Sequence, residues 1–140
     1  MTEPCPFCNF NDKNVLIYKD QYCFAIISSS PINKYHALVI PRHHYEDFID
    51  IPDEVVSALF LVAKKVSRAI RKTCVPQAIT HVSDDDISRA GYNLVAHYKL
   101  HIFPRFKKDD NLEIKWPRDP DPGDEVRAAS ARELKENLES

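Results

Sequence analysis

An α+β fold is what this 140-residue sequence predicts, on three observations. Short β-rich runs recur along the chain, one long stretch near the middle has the apolar period of an amphipathic helix, and a final alanine- and glutamate-rich stretch reads as a second helix. The hydrophobic fraction of 44% and charged fraction of 29% are those of a globular chain. A chain of this length buries a genuine core without disulfide staples, so one domain over residues 1–140 is expected.

The first expected element is a knuckle over residues 1–14. Cys5-Pro6-Phe7-Cys8 runs into Asn9-Phe10-Asn11-Asp12-Lys13-Asn14, too polar and turn-rich to form a regular core element. Val15 to Tyr18 and Cys23 to Ile27 are β-rich and flank Lys19-Asp20-Gln21, the pattern of a hairpin. Beyond a loop broken by Pro31, Ala37 to Ile40 reads as a short apolar strand closed by Pro41. The long helix is expected from about Pro52 to Lys72 with Asp50 as its N-cap, because Val55, Leu59, Val62, Val66 and Ile70 repeat along one helical face. Lys64, Lys65, Arg68, Arg71 and Lys72 lie mostly off that face, near the end where the helix dipole favours cations. Pro76 ends the helix, and Ala78 to Val82 is the next strand. Asp84, Asp85 and Asp86 lack the spaced oxygen ligands of a cation loop, so a solvated loop is expected there. Residues 106–140 form a charged, proline-rich extension. Trp116 is its one large anchor, and a helix over Asp124 to Leu138 would pack back or meet a partner subunit.

Between the acidic loop and this extension stands His97-Tyr98-Lys99-Leu100-His101-Ile102-Phe103-Pro104-Arg105. Its polar and apolar residues alternate with a period of two. As a strand it projects His97, Lys99 and His101 from one face and Tyr98, Leu100 and Ile102 from the other. A row of three nitrogen-bearing side chains is costly to bury unless it meets an anion, a metal or hydrogen-bond partners, so this row is the candidate functional site.

Several classes are disfavoured. A net charge of -2 gives no broad electrostatic footprint for nucleic acid. No apolar run approaches the ~18 residues of a membrane span, and Met1-Thr2-Glu3-Pro4 lacks the basic start of a secretory signal. A reducing, cytoplasmic setting is expected, where Cys5 and Cys8 read as a metal half-site or a redox pair rather than part of a disulfide framework. Zinc takes four soft ligands in a tetrahedron. The remaining two would come from His36, His43, His44, His81, His97 and His101; closure by His44, at a strand end, and His97, at the head of the row, is plausible. Cys23 and Cys74, in apolar surroundings, are expected to be inert.

Taken together, these pieces resemble the histidine triad (HIT) superfamily, in its zinc-containing, Hint-like branch. The resemblance spans nearly the whole chain: Cys5-Pro-Phe-Cys8, Pro31-Ile32-Asn33 leading into His36-Ala-Leu-Val-Ile-Pro41, His44, the long helix, and His97-x-x-x-His101-Ile-Phe-Pro-Arg105. It implies an antiparallel sheet with a long helix, a homodimer, and zinc on Cys5, Cys8, His44 and His97. It also implies nucleotide chemistry, in which the middle histidine of His-x-His-x-His attacks the α-phosphate of a nucleotide conjugate. That middle position is Lys99 here. A free lysine amine titrates near ~10.4 and at neutral pH is almost wholly ammonium, without a nucleophilic lone pair.

Other positions of the implied pocket depart as well. Ser28 stands at the ribose-binding carboxylate or amide, Tyr35 at the glycine before the first histidine, His36, and Tyr92-Asn93-Leu94 at the Gly-Gln-Ser/Thr run. The zinc ligands are retained while the nucleophile and its surroundings are altered. The expectation is therefore a binder of a nucleotide or other phosphate-containing small molecule through Ser28, Asn93, Lys99 and His101, with the usual hydrolase or transferase activity lost or altered. Two alternatives stand beside it: an active nucleotidyl transferase using Lys99 with His101 and His36, and a zinc-stabilised dimeric interaction module with no small ligand.

Overall fold

Alternation of apolar side chains along five short strands builds a sheet with two different faces. A computed structural model of the chain describes residues 5–83, 95–107 and 118–138. The strands are β1 (Leu16–Lys19), β2 (Cys23–Ile27), β3 (Ala37–Pro41), β4 (Ala78–Val82) and β5 (Leu100–Arg105), and they pair antiparallel throughout in the order β1-β2-β3-β5-β4. The fold is thus α+β, with α1 (Asp53–Cys74) and α2 (Asp124–Glu136) as its helices.

One face packs on α1. Ala25, Ala37, Val39, Tyr98, Leu100 and Ile102 form one buried cluster with Val55, Leu59, Val62, Val66 and Ile70, the helical stripe expected from periodicity. The opposite face carries Phe24, Ile26, Leu38 and Ile40, covered by Phe7, Phe10, Val15 and Leu16. Register fixes which residues share that second face: Leu38 of β3 stands opposite His101 of β5. Every histidine and lysine of the row falls on it.

Several expected boundaries move. β1 begins one residue late, at Leu16, with Val15 still accepting from the Ile27 N–H, and a bulge between Leu16 and Tyr18 shifts its pairing with β2. Pro41 belongs to β3 rather than closing it, tolerated at the strand's last residue. Asp50 does not cap α1. It lies in a short 3-10 turn, Phe48–Asp50, whose own cap is Asp47, accepting from the Ile49 N–H. Pro52 occupies the N-cap position of α1, and its carbonyl accepts from Val55 and Val56. The helix outlasts Lys72 by two residues and stops at Val75, which adopts a left-handed conformation with φ 47° and returns its N–H to the Arg71 carbonyl. In the row, regular strand begins only at Leu100. The α2 helix is exposed throughout except at Ala129, and the acidic residues 84–86, Asn93 and Trp116 lie outside the described residues.

Candidate metal centre and histidine-lysine pocket

The knuckle, the end of β3 and the approach to β5 converge on one point. Cys5 Sγ lies 3.2 Å from His97 Nδ1, Cys8 Sγ lies 3.3 Å from His44 Nδ1 and 3.7 Å from His97 Nδ1. All four ligand atoms fall within 4.8 Å of one another. A tetrahedral zinc with Zn–S near ~2.3 Å and Zn–N near ~2.0 Å has S···N edges of about 3.5 Å, close to the three S···N distances found here. The donor chemistry fits as well. His97 Nε2 donates to the Pro41 carbonyl at 2.8 Å and His44 Nε2 to Glu46 at 3.3 Å. Each imidazole is thereby held in the tautomer that turns its Nδ1 lone pair toward the sulfurs, the outer support that metal-ligating histidines use. Burial opposes ionisation of the Cys5 thiol, but the Phe7 N–H, Cys8 and His44 together hold it below its ordinary value. His44 is raised against its own burial by Cys5 and Glu46. Of the six histidines, His43 and His81 stand apart from this cluster, His81 against Ser67 of α1 at 2.9 Å.

A few residues along the same face lies the second constellation. His97, Lys99, His101 and His36 are 0%, 3%, 6% and 2% exposed. The Ile32 N–H donates to His36 Nδ1 at 3.1 Å, which makes that nitrogen an acceptor and places the ring proton on Nε2. His36 Nε2 then donates to His101 Nδ1 at 3.0 Å, which in turn puts the His101 proton on Nε2. A directed chain thus runs from backbone to His36 to His101, with both rings neutral. Burial lowers His36 to about 4, and burial, then His36 and Lys99, lower His101 to about 3. Phe103 packs against both rings.

Lys99 sits between the two constellations. Its Nζ donates to the Val95 carbonyl at 2.8 Å and lies 5.3 Å from the centre of the Phe7 ring. Its positive charge is among the causes that lower His97, to about 4 after burial, and His101. Ser28 is half-buried beside the pocket, its Oγ accepting from Ser30 and its N–H donating to the His36 carbonyl. Cys23 is fully buried and pushed up to about 12 by burial, as its apolar setting suggested.

Three participants escape sequence reading. Phe7 touches both constellations, and its position between the two cysteines was the only hint of that role. Glu46 is signalled only by standing two residues after His44. Asn33 donates from Nδ2 to the Pro104 carbonyl at 2.8 Å and keeps a buried Oδ1 with no hydrogen-bond partner among the described residues, a pairing between distant parts of the chain that no local pattern announces.

The family model that matches is the HIT domain, over residues 9–108. A HIT family protein from Bacillus subtilis has a crystal structure with a TM-score of 0.85 at 28% identity, covering 99% of both chains. A zinc-bound histidine triad family protein from Mycobacterium smegmatis is similar at TM-score 0.67 and 28% identity, covering 96% of this chain and 97% of that one. Among curated relatives, the adenosine 5'-monophosphoramidase of Saccharomyces cerevisiae is 25% identical over 116 residues, 81% of this chain and 70% of that protein. With 100 consecutive residues under one family model and the triad positions gathered on one face of an α+β sheet, the chain belongs to the HIT family.

Proposed function

We infer that this chain is a zinc-stabilised nucleotide-binding protein in which Lys99 replaces a nucleophile with an anchor. The observation that carries this reading is the side chain between the two histidine constellations. Lys99 donates from Nζ to the Val95 carbonyl, lies over the Phe7 ring, and stands in the row between His97 and His101. An ammonium holds a phosphate oxygen as a point charge but has no lone pair with which to displace a leaving group, so it tightens ground-state binding without opening a covalent route. The His36–His101 chain supports the same reading, since it delivers a ring N–H of fixed position on His101, suited to an anionic oxygen. Similarity to an adenosine 5'-monophosphoramidase favours a nucleoside monophosphate as the ligand.

Zinc on Cys5, Cys8, His44 and His97 supplies folding energy to the knuckle rather than chemistry. Likeness to a zinc-bound relative supports that metal. We propose a homodimer joined through the outer side of α1, where Phe60 and Leu61 are 45% and 63% exposed, and the open edge of β4.

A second reading is favoured by the burial of Lys99, which disfavours a charged amine. Lysine would then itself take the nucleotidyl group as a phosphoramidate. The two separate in one experiment. Calorimetric titration with AMP is expected to show binding by the wild-type protein, with no hydrolysis of adenosine 5'-phosphoramidate. Lys99→His is expected to gain that hydrolysis. Hydrolysis by the wild type that vanishes in Lys99→Ala would establish the second reading instead.

A further inference from the structure

Phe7 has two sides. One side of its ring faces the row, 5.3 Å from Lys99 Nζ and edge-on to His97 with centroids 5.9 Å apart. The residue also lines an open cleft of about 520 Å³ between the knuckle and the β1–β2 end of the sheet. Phe10 and Phe24, stacked at 5.3 Å, give this cleft an apolar floor. Its rim is cationic, with Lys13, Lys19 and Arg42. The one carboxylate there, Asp12, is engaged by the Asn14 N–H at 3.0 Å. In a chain whose net charge is -2, this is a local field of opposite sign, and it concentrates small anions at the cleft mouth. Lys99 is 3% exposed, and among the described residues Phe7 lies against it and also borders the cleft.

The backbone of Phe7 is held at both ends by the candidate metal centre, because its neighbours two before and one after are Cys5 and Cys8. A chelated Cys-x-x-Cys turn has few conformations, and loss of the metal frees it. We propose that Phe7 is a metal-anchored gate between the cationic cleft and Lys99, so that occupancy of the Cys5/Cys8/His44/His97 site sets how readily a small anion reaches the lysine. The gate makes Phe7 a positioning residue; it takes no part in bond making. The inference rests on the metal reading above, and a variant that opens the gate with the metal still bound tests it separately.

The test is site-resolved acetylation, read by peptide mass spectrometry, with a neutral N-hydroxysuccinimide ester and its anionic sulfonated counterpart. Exposed Lys64 and Lys107 serve as internal references. In Phe7→Ala with zinc still bound in full, Lys99 is expected to react on the order of tenfold faster than in the wild type, because site reactivity tracks the open population. Phe7→Tyr is expected to restore the slow rate, and wild-type protein stripped of zinc to match Phe7→Ala. Adding Lys19→Glu to Phe7→Ala is expected to slow the sulfonated ester at Lys99 and leave the neutral one unchanged. Equal Lys99 rates in Phe7→Ala and wild type would reject the gate, and so would a parallel rise at Lys64 and Lys107, which signals general loosening. If zinc removal leaves Lys99 slow while Phe7→Ala makes it fast, the gate exists but its metal anchor is refuted. Failure to bind zinc at all overturns the metal reading and leaves the Phe7→Ala result to judge the cover alone.

Discussion

His36 and His101 show how a few buried atoms set behaviour in solution. Both rings are neutral when folded, with values lowered to about 4 and about 3, whereas an unfolded chain takes up a proton at each near ~6.5. Below that pH the unfolded state binds more protons than the folded one, so stability falls as pH drops from about 6.5 toward the folded values. Each such histidine contributes a slope of at most ~1.4 kcal/mol per pH unit in that window. Chemical denaturation of wild type and His36→Gln between pH 7 and pH 4.5 is expected to show a smaller pH slope in the variant; identical slopes would mean that His36 is already charged in the fold. His97 and Lys99 precede β5, but the alternation that puts His101 on the face of Leu38 is written in the sequence, since it needs only the period of a strand. The direction of the hydrogen-bond chain is not. It depends on the Ile32 N–H reaching His36 from a loop, and on a contact between residues 65 apart.

At the scale of elements, α1 is legible because its apolar stripe repeats over about four turns from Val55 to Ile70, and long periodic segments override local ambiguity. Its ends are less so. Asp47 and Asp50 are equally good caps by composition, and only the turn geometry decides that Asp47 caps the short 3-10 turn while Pro52 opens the helix. Val75 closes the helix at φ 47°, a conformation that costs a β-branched residue roughly 1–2 kcal/mol and costs glycine almost nothing. The greater freedom of glycine in the unfolded chain offsets about half of that. Val75→Gly is accordingly expected to stabilise the protein by about 0.5–1 kcal/mol in urea denaturation, and a loss of stability would show that the side chain, though 75% exposed, makes a contact worth more than its strain. Within the same element Leu59 is fully buried under the sheet, and Leu59→Ala is expected to cost roughly 2–5 kcal/mol. The knuckle is the opposite case, a segment with no regular structure that is packed on the sheet through Phe7 and Phe10 and brings Cys5 and Cys8 to His44 and His97. Cys5, Cys8, His44 and His97 are expected as a set from spacing and resemblance and lie together here, while Glu46 and the Pro41 carbonyl, which hold the two imidazoles, have no signal of their own in the sequence. Chelation of zinc is expected to lower stability by on the order of 3 kcal/mol, as loss of any ligand that binds only the folded state does, and a chelator with no effect on melting would contradict a structural metal.

For the whole molecule, the two faces of the sheet are occupied differently. One face of the sheet is spent on α1 and the main core, and the other gathers every nitrogen-bearing side chain of the row together with the knuckle. Outside these, Phe60 and Leu61 are exposed and β4 is an edge strand among the described residues; on the proposed dimer, Phe60→Glu is expected to shift sedimentation from dimer to monomer without changing the far-ultraviolet spectrum. The overall fold is shared with solved relatives at 28% identity, and what such a scaffold does is decided by the residues of its pocket rather than by the sheet itself.

The most direct measurement is intact-protein mass spectrometry after incubation with adenosine 5'-phosphoramidate, recorded first under native and then under neutral denaturing conditions. The expected native spectrum shows one zinc and one nucleotide per chain, and the expected denatured spectrum shows the bare polypeptide. A nucleotidyl adduct that survives denaturation and maps to Lys99 would contradict the account and make the lysine a nucleophile.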